Sequence, residues 1–191
     1  MNLKTFSIEK VDINQETQHS LESVFLSQIY MMMQSPSVEK SNIGGWQSDV
    51  LKLDYNDVDH PLHGIYEASI QKLGELTSDM KVRPSVSCNV SFYYWVNVNY
   101  RNDMNSFHHH VSNENTILSG CYYLKKPRNS GNIIFRDDSS YYRTWFSDEF
   151  DTEISIGEGE CIVFPPYRLH GVQPNFSDDV RISVAFNLAF D

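Results

Sequence analysis

The stretch VSCNVSFYYWVNVN, residues 86–99, decides the fold, because apolar side chains recur in it at every second position. That period is the signature of a β-strand with one face against a hydrophobic core. Residues 180–190 repeat the pattern: Ile182, Val184, Phe186, Leu188 and Phe190 lie on one face, and Arg181, Ser183, Ala185 and Asn187 on the other. Both stretches predict long strands in a mainly β protein.

Shorter strands are predicted near residues 116–125, 132–136, 152–155 and 160–164, with turn residues between them. A helix is predicted at 15–33, with Leu21, Val24, Phe25, Ile29 and Met32 on its apolar face, and a second from Pro61 to about Met80. Residues 35–48 are predicted to be a loop. Helices followed by seven or eight antiparallel strands are typical of a double-stranded β-helix, the jelly-roll or cupin-like barrel.

The length of 191 residues fits one domain, with a helical support region at 1–85 and a jelly-roll core at 86–191. The net charge of −10 argues against binding to duplex nucleic acid. Three widely spaced cysteines do not form a disulfide framework. The sequence has no leader-like apolar segment or membrane-length apolar run, so we expect a soluble, cytoplasmic protein.

Three histidines are candidate metal ligands. His108 and His110 stand two residues apart, so in an extended chain they point to one side and His109 points to the other. His170 follows a strand that ends in two prolines, about sixty residues later in the chain. Jelly-roll metal sites combine two such ligands from one strand with a third from a distant neighbouring strand. Two ordinary interpretations stay open: a polar loop for the histidine run and a turn position for His170.

Arg181 and Ser183 are candidate ligands for a carboxylate. Two residues apart on one strand face, they direct a guanidinium fork and a hydroxyl into the same space. The opposite face of this strand is apolar throughout, so the polar face meets either solvent or a polar lumen. An arginine on a solvated strand face is the alternative interpretation.

Several blocks of the sequence resemble the superfamily of 2-oxoglutarate- and Fe(II)-dependent dioxygenases. More closely, they resemble a small family of oxygenases from bacteria and their phages. The blocks are SNIGGWQS (41–48), WVNVNYRNDMNSFHHH (95–110), LSGCYYL (118–124), GNIIFRD (131–137), GEGECIVFPPYRLHGVQPN (157–175) and RISVAFN (181–187). Their order, and the interval from His170 to Arg181, make the resemblance specific.

The resemblance implies a double-stranded β-helix with Fe(II) at its mouth, O2 as co-substrate and hydroxylation as the default reaction. It implies that His108 and His170 are metal ligands and that Arg181 with Ser183 binds the distal carboxylate of 2-oxoglutarate. Tyr123 is a further candidate for a hydrogen bond to 2-oxoglutarate, with core packing as its alternative role.

One position departs from the usual facial triad, which is His-x-Asp or His-x-Glu with a distal histidine. The second position here is His110, so the site is expected to contain three imidazoles. Glu114 offers an alternative, because His108, His110 and Glu114 also resemble the first metal motif of cupins. A cupin-like metal enzyme without 2-oxoglutarate therefore stays open, as does a jelly-roll binding or structural protein without enzymatic activity.

The substrate is not identified by the sequence. Aromatic residues are expected to line the cavity, and the candidates are Tyr93, Trp95, Tyr122 and Tyr123. Asn97 and Asn99 are expected to face the lumen. We expect a small-molecule or peptidyl substrate and no membrane partner, and the oligomeric state is left open.

Overall fold

The computed structural model describes residues 7–78, 89–111, 115–136 and 151–190, and in them twelve strands form two sheets. The larger sheet contains Glu9–Val11 (β1), Trp46–Gln47 (β3), Leu51–Leu53 (β4), Val90–Asn99 (β5), Thr116–Lys125 (β7), Cys161–Phe164 (β10) and Arg181–Phe190 (β12). The smaller sheet contains Asn42–Ile43 (β2), Met104–His108 (β6), Ile133–Arg136 (β8), Asp151–Ile154 (β9) and Leu169–Val172 (β11).

The strand order is β1-β10-β7-β12-β5-β3 in the larger sheet, where β4 also pairs with β5, and β2-β6-β11-β8-β9 in the smaller sheet. The ladders in both are antiparallel. This arrangement confirms the predicted mainly β jelly roll with helices near the N-terminus. The predicted barrel is corrected in one respect. Within the described ranges no ladder joins one sheet to the other, so the two sheets pack face to face through their side chains and do not close into a hydrogen-bonded barrel.

Strand β12 is central to the larger sheet. It pairs with β5 over all ten of its residues, from Arg181 opposite Asn99 to Phe190 opposite Val90, and with β7 on its other side. These are the strands in which the sequence alternates most regularly. Residues 86–88, the predicted start of β5, lie outside the described residues.

The larger sheet has two buried faces, each with its own hydrophobic cluster. The helix-side face of β12 contributes Ile182, Val184, Phe186 and Leu188 to a cluster shared with the helices. The inward face, which looks toward the smaller sheet, carries Cys121, Tyr123, Ile162 and Phe164, and these pack against Ile133 and Phe135 of β8. The polar face of β12 therefore lines the space between the sheets.

The N-terminal helical segment runs through Gln15–Ser20 (α1), a π-helical turn at Leu21–Phe25 and Leu26–Met32 (α2). Leu21, Phe25 and Ile29 are fully buried, whereas Val24, expected on the same face, is 48% exposed. A second helix, His63–Thr77 (α3), begins two residues after Pro61. None of the helices in the described ranges is long and apolar enough to cross a membrane.

Residues 35–48 were expected to be a loop, but they contain β2 and β3. Gly44 and Gly45 join these strands with φ angles of 72° and 69°, in the left-handed region that favours glycine. A Cβ atom on Gly45 would lie 2.5 Å from the Val98 carbonyl oxygen. The glycine pair therefore carries the chain from the smaller sheet to the larger one where no side chain fits.

Two further strands, β6 and β11, were not expected from the sequence, and both carry predicted site residues. They pair with each other in the middle of the smaller sheet. Both are short and contain few apolar residues, so their sequences lack the alternation that identifies longer strands.

Candidate active site

The three histidines predicted as metal ligands lie together at one end of the space between the sheets. His108 ends β6, His110 follows two residues later, and His170 on β11 is the ladder partner of His108. One ring nitrogen of each lies within 4.8 Å of those of the other two. The ring centroids of His108 and His170 are 4.4 Å apart, and the centroid of His110 lies 5.1 Å from that of His108 and 5.0 Å from that of His170. The structure thus brings these residues together, and their role as ligands stays a prediction.

Each imidazole is held through its Nδ1 atom. Nδ1 of His108 lies 2.8 Å from the Ser106 carbonyl oxygen, and Nδ1 of His170 lies 2.8 Å from the Arg168 carbonyl oxygen. A carbonyl oxygen can only accept, so Nδ1 carries the proton in both rings and Nε2 keeps its lone pair.

His110 is held by side chains instead. Its Nδ1 atom lies 2.9 Å from Ser119 Oγ and 2.9 Å from Asn187 Oδ1. Its Nε2 atom is buried and has no hydrogen-bond partner.

Burial keeps these rings neutral. Desolvation, followed by the neighbouring imidazoles, lowers the pKa of His110 to about 4 and the pKa of His170 well below its usual value. Desolvation also lowers the pKa of His108. Neutral imidazole is the form that binds a metal ion. Three neutral rings, together with the unpartnered Nε2 atom of His110, therefore fit a divalent transition metal such as Fe(II).

His109 is exposed and is not part of the histidine cluster, although it lines the cleft beside His108 and His110. Glu114, the alternative ligand, lies outside the described residues. Within the part of the chain that the structure describes, no carboxylate joins the three histidines.

Arg181, the predicted carboxylate anchor, is 1% exposed and lies on the inward face of β12. Its Nη1 atom donates to the carbonyl oxygens of Ser130 and Gln173, the latter at 2.8 Å, and its Nε atom donates to Asn99 Oδ1 at 3.4 Å. Its Nη2 atom is buried without a partner. The expected two-nitrogen fork is therefore only partly available, because two backbone carbonyls already occupy one of its nitrogens.

No carboxylate of the described residues pairs with Arg181. A buried guanidinium stays protonated, and an unpaired buried charge is costly. The Asp103 charge acts on this guanidinium from beyond salt-bridge distance, and an anion at the unpartnered Nη2 atom would stabilise it further.

Tyr123 and Ser183, the other predicted cofactor residues, lie beside each other across the β7–β12 ladder and are both buried. The Tyr123 hydroxyl is near the Cys121 thiol and has no hydrogen-bond partner. Desolvation raises the pKa of Cys121 to about 12, in spite of the nearby Ser183 hydroxyl and Arg181 charge. Cys121 is therefore a neutral thiol, which leaves Tyr123, Ser183 and the nearby Arg181 as the stronger polar groups in this region.

A narrow internal cavity of about 30 Å³ connects the histidines with Ser183. Trp95, Asn97, Cys121 and Phe164 also line it. A wider cleft of about 570 Å³ opens to solvent on the other side of the histidines. Its lining residues include Lys40, Gln47, Trp95, Phe107, His109 and Asn187.

Trp95 borders both spaces, and its ring lies edge-on to His110 with centroids 5.3 Å apart. Asn97 faces the lumen as expected and accepts from Asn105 Nδ2 at 3.4 Å. Tyr122 was expected to line the cavity but lies in the helix-side cluster, because neighbours on a strand point to opposite faces. Tyr93 lines neither space, and Lys52 Nζ lies 5.5 Å from its ring centroid.

Sequence reasoning missed Ser119, Asn187 and Gln47. Ser119 and Asn187 hold His110, and both belong to the polar positions of alternating strands, a signal that could have identified them. Gln47 lines the cleft, and its Oε1 atom is buried without a partner. It lay in a segment expected to be a loop, so the direction of its side chain could not be inferred.

Known proteins resemble this chain mainly in fold. One similar structure is a prolyl-4-hydroxylase from Pseudomonas putida, with 12% identity and a TM-score of 0.64 over 97% of this chain and 92% of that one. Another is the viral collagen prolyl hydroxylase of Paramecium Bursaria Chlorella virus-1 in its 2OG complex, with 14% identity and a TM-score of 0.60 over 96% of each chain. AviO1 from Streptomyces viridochromogenes Tue57 has 13% identity and a TM-score of 0.61 over 97% and 89%.

Comparison with curated proteins gives no match. A family model described as "Putative 2OG-Fe(II) oxygenase" matches residues 93–187. This range includes the three clustered histidines, Tyr123, Arg181 and Ser183. The match covers 95 of the 191 residues, and on its evidence this part of the chain belongs to the superfamily of 2-oxoglutarate- and Fe(II)-dependent oxygenases, while the similar structures show the shared jelly-roll fold.

Proposed function

We propose that this oxygenase hydroxylates its substrate at an iron held by His108, His110 and His170, with 2-oxoglutarate bound by Arg181, Ser183 and Tyr123. One observation carries the assignment of residues. The three imidazoles and Ser183 line one internal cavity, and the buried guanidinium of Arg181 lies two residues from Ser183 on the same face of β12, with its Nη2 atom unpartnered. A divalent cation at the imidazoles and a dicarboxylate that reaches from it toward Ser183 and Arg181 would satisfy both groups.

The histidines supply neutral nitrogen ligands in fixed orientations. The carbonyl oxygens of Ser106 and Arg168 hold two of the rings, so these rings need no reorientation to bind a metal. When bound, Fe(II) and 2-oxoglutarate supply the oxidation: one atom of O2 becomes the hydroxyl of the product, the other enters succinate, and CO2 is released.

Arg181 binds the distal carboxylate of 2-oxoglutarate through Nη2. Tyr123 and Ser183 add hydroxyl donors on the neighbouring strands. The bonds from Nη1 to two backbone carbonyls keep the guanidinium from turning away from the pocket. Because the pocket is buried, these hydrogen bonds are stronger than they would be in water.

The substrate approaches through the cleft of about 570 Å³. Trp95 forms an apolar wall beside His110, and Asn97 continues the lumen behind it. The buried Oε1 atom of Gln47 favours a substrate that offers a hydrogen-bond donor, since an unmade hydrogen bond at a buried acceptor is costly. A small molecule or a peptidyl side chain satisfies these conditions.

The surroundings of the enzyme follow from its charge and thiols. The net charge of −10 disfavours duplex nucleic acid and anionic membrane surfaces as partners. Cys121 and Cys161 are free and buried, which suits a reducing compartment such as the cytoplasm.

The test is an anaerobic titration of the full chain with Fe(II) and then 2-oxoglutarate, followed by visible absorption. We expect stoichiometric Fe(II) binding, and a charge-transfer band that develops only when 2-oxoglutarate is added. Iron binding without the band, and without succinate formation in air, would favour a cupin-like enzyme. Absence of Fe(II) binding would favour a binding or structural role.

A further inference from the structure

We propose that Ser119 and Asn187 are positioning residues that fix His110 as a metal ligand, in the position where a carboxylate ordinarily completes this type of iron site. This inference rests on the proposed function, because it concerns the same metal centre. It adds two residues that touch neither metal nor 2-oxoglutarate and act through the His110 ring.

The geometry is a closed triangle of hydrogen bonds. Ser119 Oγ donates to Asn187 Oδ1 at 2.7 Å, and His110 Nδ1 lies 2.9 Å from each of these oxygens. Ser119 and Asn187 are direct partners across the β7–β12 ladder, so the sheet itself fixes their separation. Ser119 is fully buried.

The hydrogen bonds determine which nitrogen of His110 is protonated. The Ser119 hydroxyl donates its hydrogen to Asn187 Oδ1, and the amide oxygen of Asn187 has no hydrogen to donate. Both oxygens can therefore only accept from His110, so Nδ1 must carry the proton. The lone pair is left on Nε2, the buried atom that has no partner in the protein.

His110 depends on this device more than the other two ligands do. His108 and His170 each bond to the carbonyl oxygen of the residue two positions earlier in the chain, an arrangement that the local backbone provides. His110 lies beyond the end of β6, and its two partners are 9 and 77 residues away in the sequence. The position of its ring is thus set by the larger sheet, whereas the other two rings are set by the smaller sheet.

The test measures Co(II) affinity, with the visible d–d bands of Co(II) as the signal. It compares the wild-type chain with Asn187→Leu, Ser119→Ala and Asn187→Asp. Loss of a hydrogen-bonding partner behind a metal-bound histidine typically weakens binding about 10- to 100-fold. We expect such a loss for Asn187→Leu, a smaller loss for Ser119→Ala, and affinity at or above the wild-type value for Asn187→Asp, which keeps the acceptor. Ser69→Ala, a buried serine of α3, is the matched control and should bind as wild type.

A second measurement reports the tautomer directly. Long-range ¹H–¹⁵N NMR of the metal-free chain should show His110 protonated at Nδ1 in the wild type and a mixture of tautomers in Asn187→Leu. Circular dichroism identifies variants that fold. If Asn187→Leu loses its fold, Ser119→Ala and Asn187→Asp still decide the matter.

The inference is wrong if folded Asn187→Leu and Ser119→Ala bind Co(II) as tightly as the wild type. It is also wrong if Asn187→Asp loses affinity to the same degree as Asn187→Leu. Failure of the proposed function gives a different result in the wild-type chain itself: either it binds neither Co(II) nor Fe(II), or it binds metal without the 2-oxoglutarate band and without succinate formation.

Discussion

The two faces of β12 belong to one strand and meet opposite requirements. On the helix-side face, Val184, Phe186 and Leu188 are fully buried among apolar neighbours. On the inward face the same strand carries Arg181, which is equally buried but has an unpaired nitrogen.

The unpaired buried groups also differ in kind between the two sides of the larger sheet. Toward the helices they are neutral hydroxyls, those of Ser69 and Tyr122. Toward the smaller sheet they include one such hydroxyl, that of Tyr123, but also an imidazole nitrogen of His110 and a guanidinium nitrogen of Arg181. A neutral hydroxyl without a partner costs about 1–3 kcal/mol, and a charged group costs more. The helix-side face therefore stabilises the fold, whereas the inward face retains buried polar atoms without partners, which a ligand can satisfy.

The largest effect is expected for His170→Ala, on the inward side of the larger sheet. We expect loss of Fe(II) binding, because one of three imidazoles disappears while the helix-side cluster is untouched. His108→Ala should behave in the same way. Metal content by plasma emission after anaerobic loading is the measurement, and His109→Ala, whose side chain is exposed, is the control. Loss of iron in the His109 variant, with retention in the His108 variant, would show that the opposite side of the strand binds the metal.

On the helix-side face, Phe186→Ala should affect stability and leave the metal site intact. Phe186 is fully buried, stacks on Phe92 with ring centroids 4.9 Å apart and lies over Gly120. Loss of a buried phenylalanine ring costs about 3–5 kcal/mol of unfolding free energy. Urea denaturation measures the loss, and Fe(II) affinity at low temperature should stay at the wild-type value. A folded variant with weakened iron binding would contradict the separation of the two faces.

Arg181→Ala tests the proposed binding of the 2-oxoglutarate carboxylate. Removing one partner of a desolvated pair costs about 2–5 kcal/mol, so the apparent KM for 2-oxoglutarate should rise at least about tenfold while Fe(II) binding persists. Arg181→Lys should give an intermediate value, because a point charge replaces the planar group. Uncoupled succinate formation against 2-oxoglutarate concentration measures both. An unchanged KM in folded, iron-loaded Arg181→Ala would remove Arg181 from the cofactor site.

The smallest effect is expected for Glu114→Ala. Three imidazoles already form a cluster that can hold the metal without Glu114, so this variant should keep its iron and its 2-oxoglutarate turnover. Metal content and succinate formation are again the measurements. Loss of metal in a variant that folds by circular dichroism would favour the cupin-like ligand set.

The long strands could be predicted because β5 and β12 each alternate over ten residues with one face fully apolar. β6 and β11 could not, because MNSFH and LHGV neither alternate nor form a continuous apolar run, whereas the equally short β8 and β10 contain consecutive apolar residues. The exposure of Val24 was missed because a regular helix was assumed where the chain makes a π-helical turn. Local periodicity identifies elements that fill a hydrophobic core and fails for elements that line a polar one.

In the candidate site too, features set by local spacing could be predicted, and features set by tertiary contacts could not. His108 and His110 could be paired from their spacing, because a period of two is a local property of an extended chain. The hydrogen bonds of Asn187 and Ser119 to His110 could not be inferred, since they depend on the β7–β12 register. The loss of one nitrogen of Arg181 to the carbonyl oxygens of Ser130 and Gln173 depends on the path of two turns.

Those two carbonyls give Arg181 a mechanical role as well. Ser130 precedes β8 and Gln173 follows β11, so a side chain rooted in the larger sheet holds the ends of two strands of the smaller sheet. A dicarboxylate bound at Arg181 Nη2 would connect the two sheets, and its binding free energy would add to the free energy of unfolding. By linkage, a ligand at 100 times its dissociation constant stabilises the folded chain by about 2.7 kcal/mol. If 2-oxoglutarate binds at Arg181 as proposed, the cofactor contributes to holding the two sheets together.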